Sequence, residues 1–159
     1  LRWWLEAFET HGGPATTPPV HVHLALAAAL DALEARTLDG WISDTRRRAQ
    51  ATRRAVEAMG LQLASTAPSD AVTAIEIPQG LAEELRARCA AEEGVLLAGG
   101  QEAWKGRVVR ISHMGALTDE DALAGVRAVA HQAAAMGIVD DATAQAAIAA
   151  AQTALQEEG

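Results

Sequence analysis

Apolar positions recur at helical spacing over much of the chain. Val22, Ala25, Ala29 and Leu33 stand three and four residues apart and open a helical region predicted from about Val20 to Met59. Leu38-Asp39-Gly40 reads as a kink or interruption in it, and Gly60 as its stop. Ahead of it, residues 2–10 read as a short apolar helical segment, broken by Gly12-Gly13-Pro14. Thr16-Thr17-Pro18-Pro19 reads as a helix start, a hydroxyl cap followed by prolines that suit a first turn.

Two stretches alternate instead. In Ala71 to Ile77, Thr73, Ile75 and Ile77 face one way and Val72, Ala74 and Glu76 the other, a strand closed by Pro78. In Arg107 to Ser112, Val109 and Ile111 share one face, Val108 and Arg110 the other. Val95 to Ala98 reads as a short buried strand, and Leu81, Leu85 and Cys89 mark a helix at about 80–93. Thr118-Asp119-Glu120-Asp121 predicts a capped helix start with acids at the positive end of the dipole. Leu123, Val126, Ala130 and Ala133 continue that helix to Gly137, and Asp140 or Asp141 caps a last one through Ala144, Ile148, Ala151 and Leu155. Few short strands among many helices predict an α+β class: a long N-terminal helix leading into a small, mostly antiparallel sheet covered by helices, with an extra C-terminal helix.

Composition narrows the function. Half of the 159 residues are apolar but only 3% aromatic, and the formal net charge is −8. An acidic surface argues against nucleic-acid and anionic-membrane partners, whose phosphates call for basic patches. No apolar run approaches the 18 or so residues that cross a bilayer, and no signal peptide is evident, so the cytoplasm is the expected compartment. Cys89 has no second cysteine to pair with and reads as a core thiol. His21 and His23, about 200° apart on a helix, do not converge on one metal ion, and no metal site is expected. His113 reads as structural rather than as a cleft residue. Arg46-Arg47-Arg48 and Arg53-Arg54 read as a solvated surface paired with Asp44 or Glu57. The tryptophans at 3, 4, 41 and 104 read as packing anchors. From spacing alone, Arg110 is a strand arginine paired with a surface acid, Thr17 a plain cap and Gly99-Gly100 a turn.

The segment from Glu93 to Gly115 changes this picture. Through Gly94-Val95, Ala98-Gly99-Gly100-Gln101, Lys105-Gly106, Arg110-Ile111 and His113-Met114-Gly115 it resembles the substrate-carboxylate segment of the class V, fold-type I aminotransferases, the alanine–glyoxylate and serine–pyruvate (serine–glyoxylate) branch. Thr16 to Val20 resembles that family's Tyr-Thr-Pro-Pro-Val lead into its long helix. Arg53 to Leu61, Ala71 to Pro78 and Thr118 to Asp121 match further landmarks, so the resemblance spans about residues 3–136. It implies the C-terminal small domain of such an enzyme: residues 1–18 as a lead-in from a large domain, 19–137 as the domain itself, and 138–159 as a helical extension.

The resemblance implies that Arg110 binds the substrate carboxylate, a role suited to a planar, permanently charged fork. It implies that Thr17 touches the phosphate of pyridoxal 5'-phosphate bound to the other subunit of a homodimer, where an exposed helix start also offers N–H groups. Thr16 replaces the family's tyrosine. No catalytic residue is assigned to this chain: the Schiff-base lysine lies in the family's large domain, and the single lysine here, Lys105, matches a Lys-Gly turn. The expected activity of the parent is amino transfer from alanine or serine to glyoxylate or another 2-oxo acid, with this chain inactive alone. A chain opening on Leu1-Arg2-Trp3-Trp4 reads as a piece of a longer one. Two alternatives stand beside this: one subunit of a split enzyme, or a non-catalytic binding module. Lyase and desulfurase chemistry of the same class is weighed below aminotransfer.

Overall fold

A computed structural model describes residues 2–157; Leu1, Glu158 and Gly159 lie outside the described residues. The chain divides into two compact units, one reaching to Trp41 and the other starting at Ile42.

In the first unit, α1 (Arg2–His11) and α2 (Val20–Arg36) bury no side chain. Trp3, Leu5, Phe8, Leu24 and Leu26 are all more than half exposed. A helix that is apolar all round is normally covered. The predicted threonine cap is not formed: Pro19 stands at the cap position and no side chain bonds the first turn of α2. The two prolines set the turn through backbone geometry instead, with Val20 and Val22 N–H donating to the carbonyls of Pro18 and Pro19.

The interruption predicted near Gly40 falls at Thr37, between α2 and α3 (Leu38–Ala58). Thr37 takes φ 63°, which a β-branched residue adopts only against steric resistance. Its hydroxyl accepts from Gly40 N–H at 3.1 Å and so starts the next helix.

The second unit is built on one antiparallel sheet. Its strands β1 (Gln62–Leu63), β2 (Val72–Glu76), β3 (Ala98–Gly99) and β4 (Val108–Ser112) run in the order β1-β2-β4-β3. The alternation read from the sequence holds: Thr73 faces Ile111 and Ile75 faces Val109, all buried, while Ala74 pairs with Arg110 and Glu76 with Val108 on the other face. No periodic pattern marks β1, which is two residues long. The strand expected at 95–98 is shifted to Ala98–Gly99, and Leu96 is 88% exposed rather than buried. A two-residue edge strand is placed by its neighbours and leaves no periodic trace.

Helices α4 (Ala82–Glu92), α5 (Asp119–Ala135) and α6 (Asp141–Glu157) complete the unit. Leu85 and Cys89 of α4, Val126, Val129 and Ala133 of α5, and Ala147 and Ala151 of α6 join Ile75, Val109 and Ile111 in one core. Each fully buried Val, Leu or Ile contributes about 1.5–3 kcal/mol of transfer free energy. The Thr118 capping box forms as predicted, with Asp121 N–H donating to Thr118 Oγ1 and Thr118 N–H to Asp121 Oδ2. Asp140, not Asp141, caps α6, accepting from Thr143 N–H at 2.7 Å. Among the described residues no helix is long and apolar enough to cross a membrane.

Candidate functional site

Arg110 lies mid-strand on β4, flanked across the sheet by Ala74 on β2 and Ala98 on β3. Alanine on both sides leaves the long side chain unobstructed. The guanidinium is half-buried, and its Nε donates to the Gly99 carbonyl at 2.8 Å. Among the described residues no carboxylate pairs with it, so the surface acid expected from spacing is absent.

Arg110 borders a cleft of about 500 Å³ whose lining includes Leu96, Leu97, Met114 and Leu117 together with Ser112 and Asp121. Asp121 is already committed: hydrogen bonds from the Thr118 hydroxyl and N–H hold its carboxyl below the usual range. A cation beside mostly apolar walls, paired with no carboxylate among the described residues, suits a small carboxylate from outside.

The glycines fix this edge for a reason internal to the chain. A Cβ on Gly100 would sit 2.0 Å from the Trp104 carbonyl oxygen, so only glycine lets the 102–104 turn fold back. Gly100 N–H donates to Val108 at 2.8 Å and ties that turn to β4. The close approach the glycines permit is thus by the protein's own backbone. Lys105 closes the same turn and is exposed.

Thr17 is exposed in the unit that ends at Trp41. The row of free helix N–H groups expected beside it is thin: two prolines supply none, and Val20 and Val22 are already bonded.

Three of the five clustered arginines, Arg47, Arg48 and Arg53, depart from the expected solvated surface. Arg48 is 2% exposed at its side chain, and its Nε donates to Asp119 at 3.1 Å. Arg47 bridges Asp119 and Asp44. Arg46 and Arg53 both hold Asp70, at 3.2 and 3.0 Å. Burial by itself would raise the Asp70 carboxyl, but these two hydrogen bonds outweigh it and lower it. Asp119 and Asp70 stand 71 and 17 residues from their arginine partners, so no local pattern announced the pairs. Arg54, paired with Glu57 at 3.5 Å, and Arg46, more than half exposed, stay at the solvated surface where the sequence placed the group, and the expected Asp44 pair forms with Arg47.

His113 is fully buried next to this network, with Nε2 2.8 Å from Thr73 Oγ1. Burial, then the charges of Arg53 and Arg48, push it down to about 4, so it is neutral and structural at physiological pH. Cys89 is a core thiol pushed up to about 11 by burial and Glu93. Among the described residues no group of three His, Cys, Asp or Glu side chains converges to hold a metal ion. Sequence reasoning passed over Arg86, whose Nε holds the Leu97 carbonyl beside the cleft at 2.9 Å. Its only local signal was the Glu83–Arg86 spacing on α4.

Known proteins bear on this geometry. No protein-family model matches the chain. It is 36% identical over 132 residues to an L-aspartate–glyoxylate aminotransferase of Paracoccus denitrificans, a match covering 79% of the chain and 33% of that protein. It is 39% identical over 142 residues to a protein of Synechococcus sp. (strain PCC 6716) named soluble hydrogenase, small subunit, covering 87% of the chain and 36% of that protein. The crystal structure of pyridoxamine–pyruvate aminotransferase from Mesorhizobium loti superposes with a TM-score of 0.69 at 26% identity, over 91% of the chain and 38% of that enzyme. The chain spans about a third of the length of the curated relatives it matches. In fold and sequence it corresponds to the C-terminal, small-domain portion of the class V-type aminotransferases.

Proposed function

We propose that the parent protein is a pyridoxal-phosphate-dependent aminotransferase and that this chain's share of the work is to hold the substrate carboxylate on Arg110. The observation that carries the reading is the half-buried guanidinium beside an apolar cleft, bonded to one backbone carbonyl and paired with no carboxylate among the described residues. A charge-assisted pair of this kind contributes about 1.5–3 kcal/mol.

When bound, pyridoxal phosphate supplies the electron sink that makes the bonds at the substrate α-carbon labile. The residues present fit the ends of that chemistry rather than its centre. Arg110 orients the amino acid: Gly99 occupies its Nε and leaves the outer edge of the guanidinium for two carboxylate oxygens. Thr17, exposed ahead of α2, would offer its hydroxyl to the cofactor phosphate of the other subunit in a homodimer. The lysine that holds the cofactor and moves the proton belongs to a large domain outside residues 1–159, since Lys105 is an exposed turn residue remote in role from the reaction.

The exposed apolar side chains of α1 and α2 are the surface we assign to the large domain and partner subunit. On this reading residues 1–18 lead in from that domain, 19–137 form the small domain and 138–159 extend it. Alanine or serine as donor and glyoxylate or another 2-oxo acid as acceptor fit a small cleft, and glyoxylate stands in the name of one relative. Cytoplasmic residence goes with this activity.

The test is reconstitution. Joined to its lysine-bearing domain, the chain should catalyse transamination, and alone it should not; covalent capture of pyridoxal phosphate by the isolated 159 residues would sink the reading. Native mass spectrometry of unprocessed material separates a single longer chain from a split enzyme with a co-purifying second polypeptide. The name of the Synechococcus relative favours a second reading, a hydrogenase subunit. Hydrogen uptake with stoichiometric redox metal in the full-length protein, and no transamination, would establish it.

A further inference from the structure

The carbonyl that aims Arg110 belongs to Gly99, in a two-residue edge strand. So short a strand has little rigidity of its own, and its direction depends on what packs against it. On one side Gly99 is paired with Val109 of β4. On the other lies Arg86 of α4. Its Nε donates to the Leu97 carbonyl at 2.9 Å, and its Nη1 is held by Glu83. A Cβ built on Gly99 would lie 2.8 Å from Arg86 Nη1 and 3.1 Å from its Cζ, so the guanidinium rests against the bare Cα of Gly99. The two arginines therefore grip the same strand segment from opposite directions: Arg86 through Leu97 and the face of Gly99, Arg110 through the Gly99 carbonyl.

We propose that Arg86 is a positioning residue for carboxylate recognition, clamping β3 so that the Gly99 carbonyl holds the Arg110 fork at a fixed angle to the cleft. This rests on the reading of Arg110 given above. Arg86 touches no substrate. Its three commitments, to Leu97, Glu83 and Gly99, require a planar group with donors on two edges, which lysine lacks. Glycine at position 99 is then explained by the Arg86 guanidinium packed against it, where a Cβ would lie 2.8 Å from Nη1.

The test uses the full-length enzyme with cofactor bound. Arg86→Ala is expected to raise KM for the amino donor about tenfold while kcat changes less than about threefold, the range seen when a supporting residue behind a ligand is removed. Arg86→Lys, which keeps a donor for Leu97 but not the flat contact, should recover part of that loss. Gly99→Ala should raise KM comparably by displacing the Arg86 plane, and the double variant should show less than the product of the two effects. A positive control, Arg110→Ala, should raise KM about a hundredfold. If Arg86→Ala and Gly99→Ala lower the melting temperature yet leave KM within about twofold of wild type while Arg110→Ala raises it, Arg86 is only a structural strut and the proposal falls. If Arg110→Ala also leaves KM unmoved, the carboxylate reading fails and the positioning role falls with it.

Discussion

Arg48 and Arg110 are both arginines drawn into the unit that begins at Ile42, and the structure treats them oppositely. Arg48, on α3, is almost fully buried and shares Asp119 with Arg47. Arg110, on β4, is half-buried and, among the described residues, bonds a backbone carbonyl and no carboxylate. A buried cation must be neutralised, because leaving water costs several kcal/mol per charge. Arg48 finds its counter-charge inside the fold and ties α3 to the start of α5. Arg110 keeps part of its surface open to solvent. Internal neutralisation marks a strut; on the function proposed above, its absence beside the cleft marks a site.

Substitution at both positions tests that contrast directly. Arg110→Ala in the full-length enzyme should cost about 3 kcal/mol in substrate binding, a hundredfold or more in KM, with little change in thermal stability. Steady-state kinetics and a melting curve on one preparation would decide it, and a large stability loss with unchanged KM would reverse the assignment. Arg48→Ala should do the opposite, destabilising by about 3 kcal/mol in chemical denaturation with KM unmoved. Arg48→Met, which fills the space without the charge, should lose less.

Acid titration probes the strut from its other side. His113 faces Thr73, Arg53, Arg48 and Asp70 and is held neutral, with its pKa pushed down to about 4. The unfolded chain binds this proton near pH 6.5, so the contribution is fully present above that pH and is lost as pH falls from 6.5 toward 4. The shift corresponds to roughly 3 kcal/mol. A stability–pH profile should therefore be steeper over this window than that of His113→Asn; identical profiles would show that the histidine contributes nothing there. The smallest effect is expected at Thr118→Ala. Loss of the capping box should cost about 1 kcal/mol and loosen Asp119, the first residue of α5, so that the same substitution in an Arg48→Met background costs less.

Regular elements were legible from the chain because local physics sets them. The alternation of Thr73, Ile75 and Ile77, the three-and-four spacing from Leu123 to Ala133, and the Thr118–Asp121 box each carry their own signal within a few residues, and each was found in place. Where neighbours decided the outcome, the sequence misled. Thr17 looked like a cap, but the prolines after it took over the turn. Val95 to Ala98 looked buried, but β3 forms only where β4 offers a partner, and Leu96 is left outside. Arg47, Arg48 and Arg53 looked solvated because Asp119 and Asp70 are far from them in sequence.

The sequence by itself determined the helices and the two central strands, the choice of Arg110 as the residue of interest, and a likeness to aminotransferases that fold and relatives support. These depend on side-chain period and on motif order, which are one-dimensional. Tertiary structure alone decided which arginines are neutralised by carboxylates, that Gly100 is needed for the chain's own turn, and that Arg86 lies against Gly99 beside the cleft. Those facts depend on distances between residues remote in sequence, and a guanidinium changes from strut to site according to whether a carboxylate lies within about 4 Å of it.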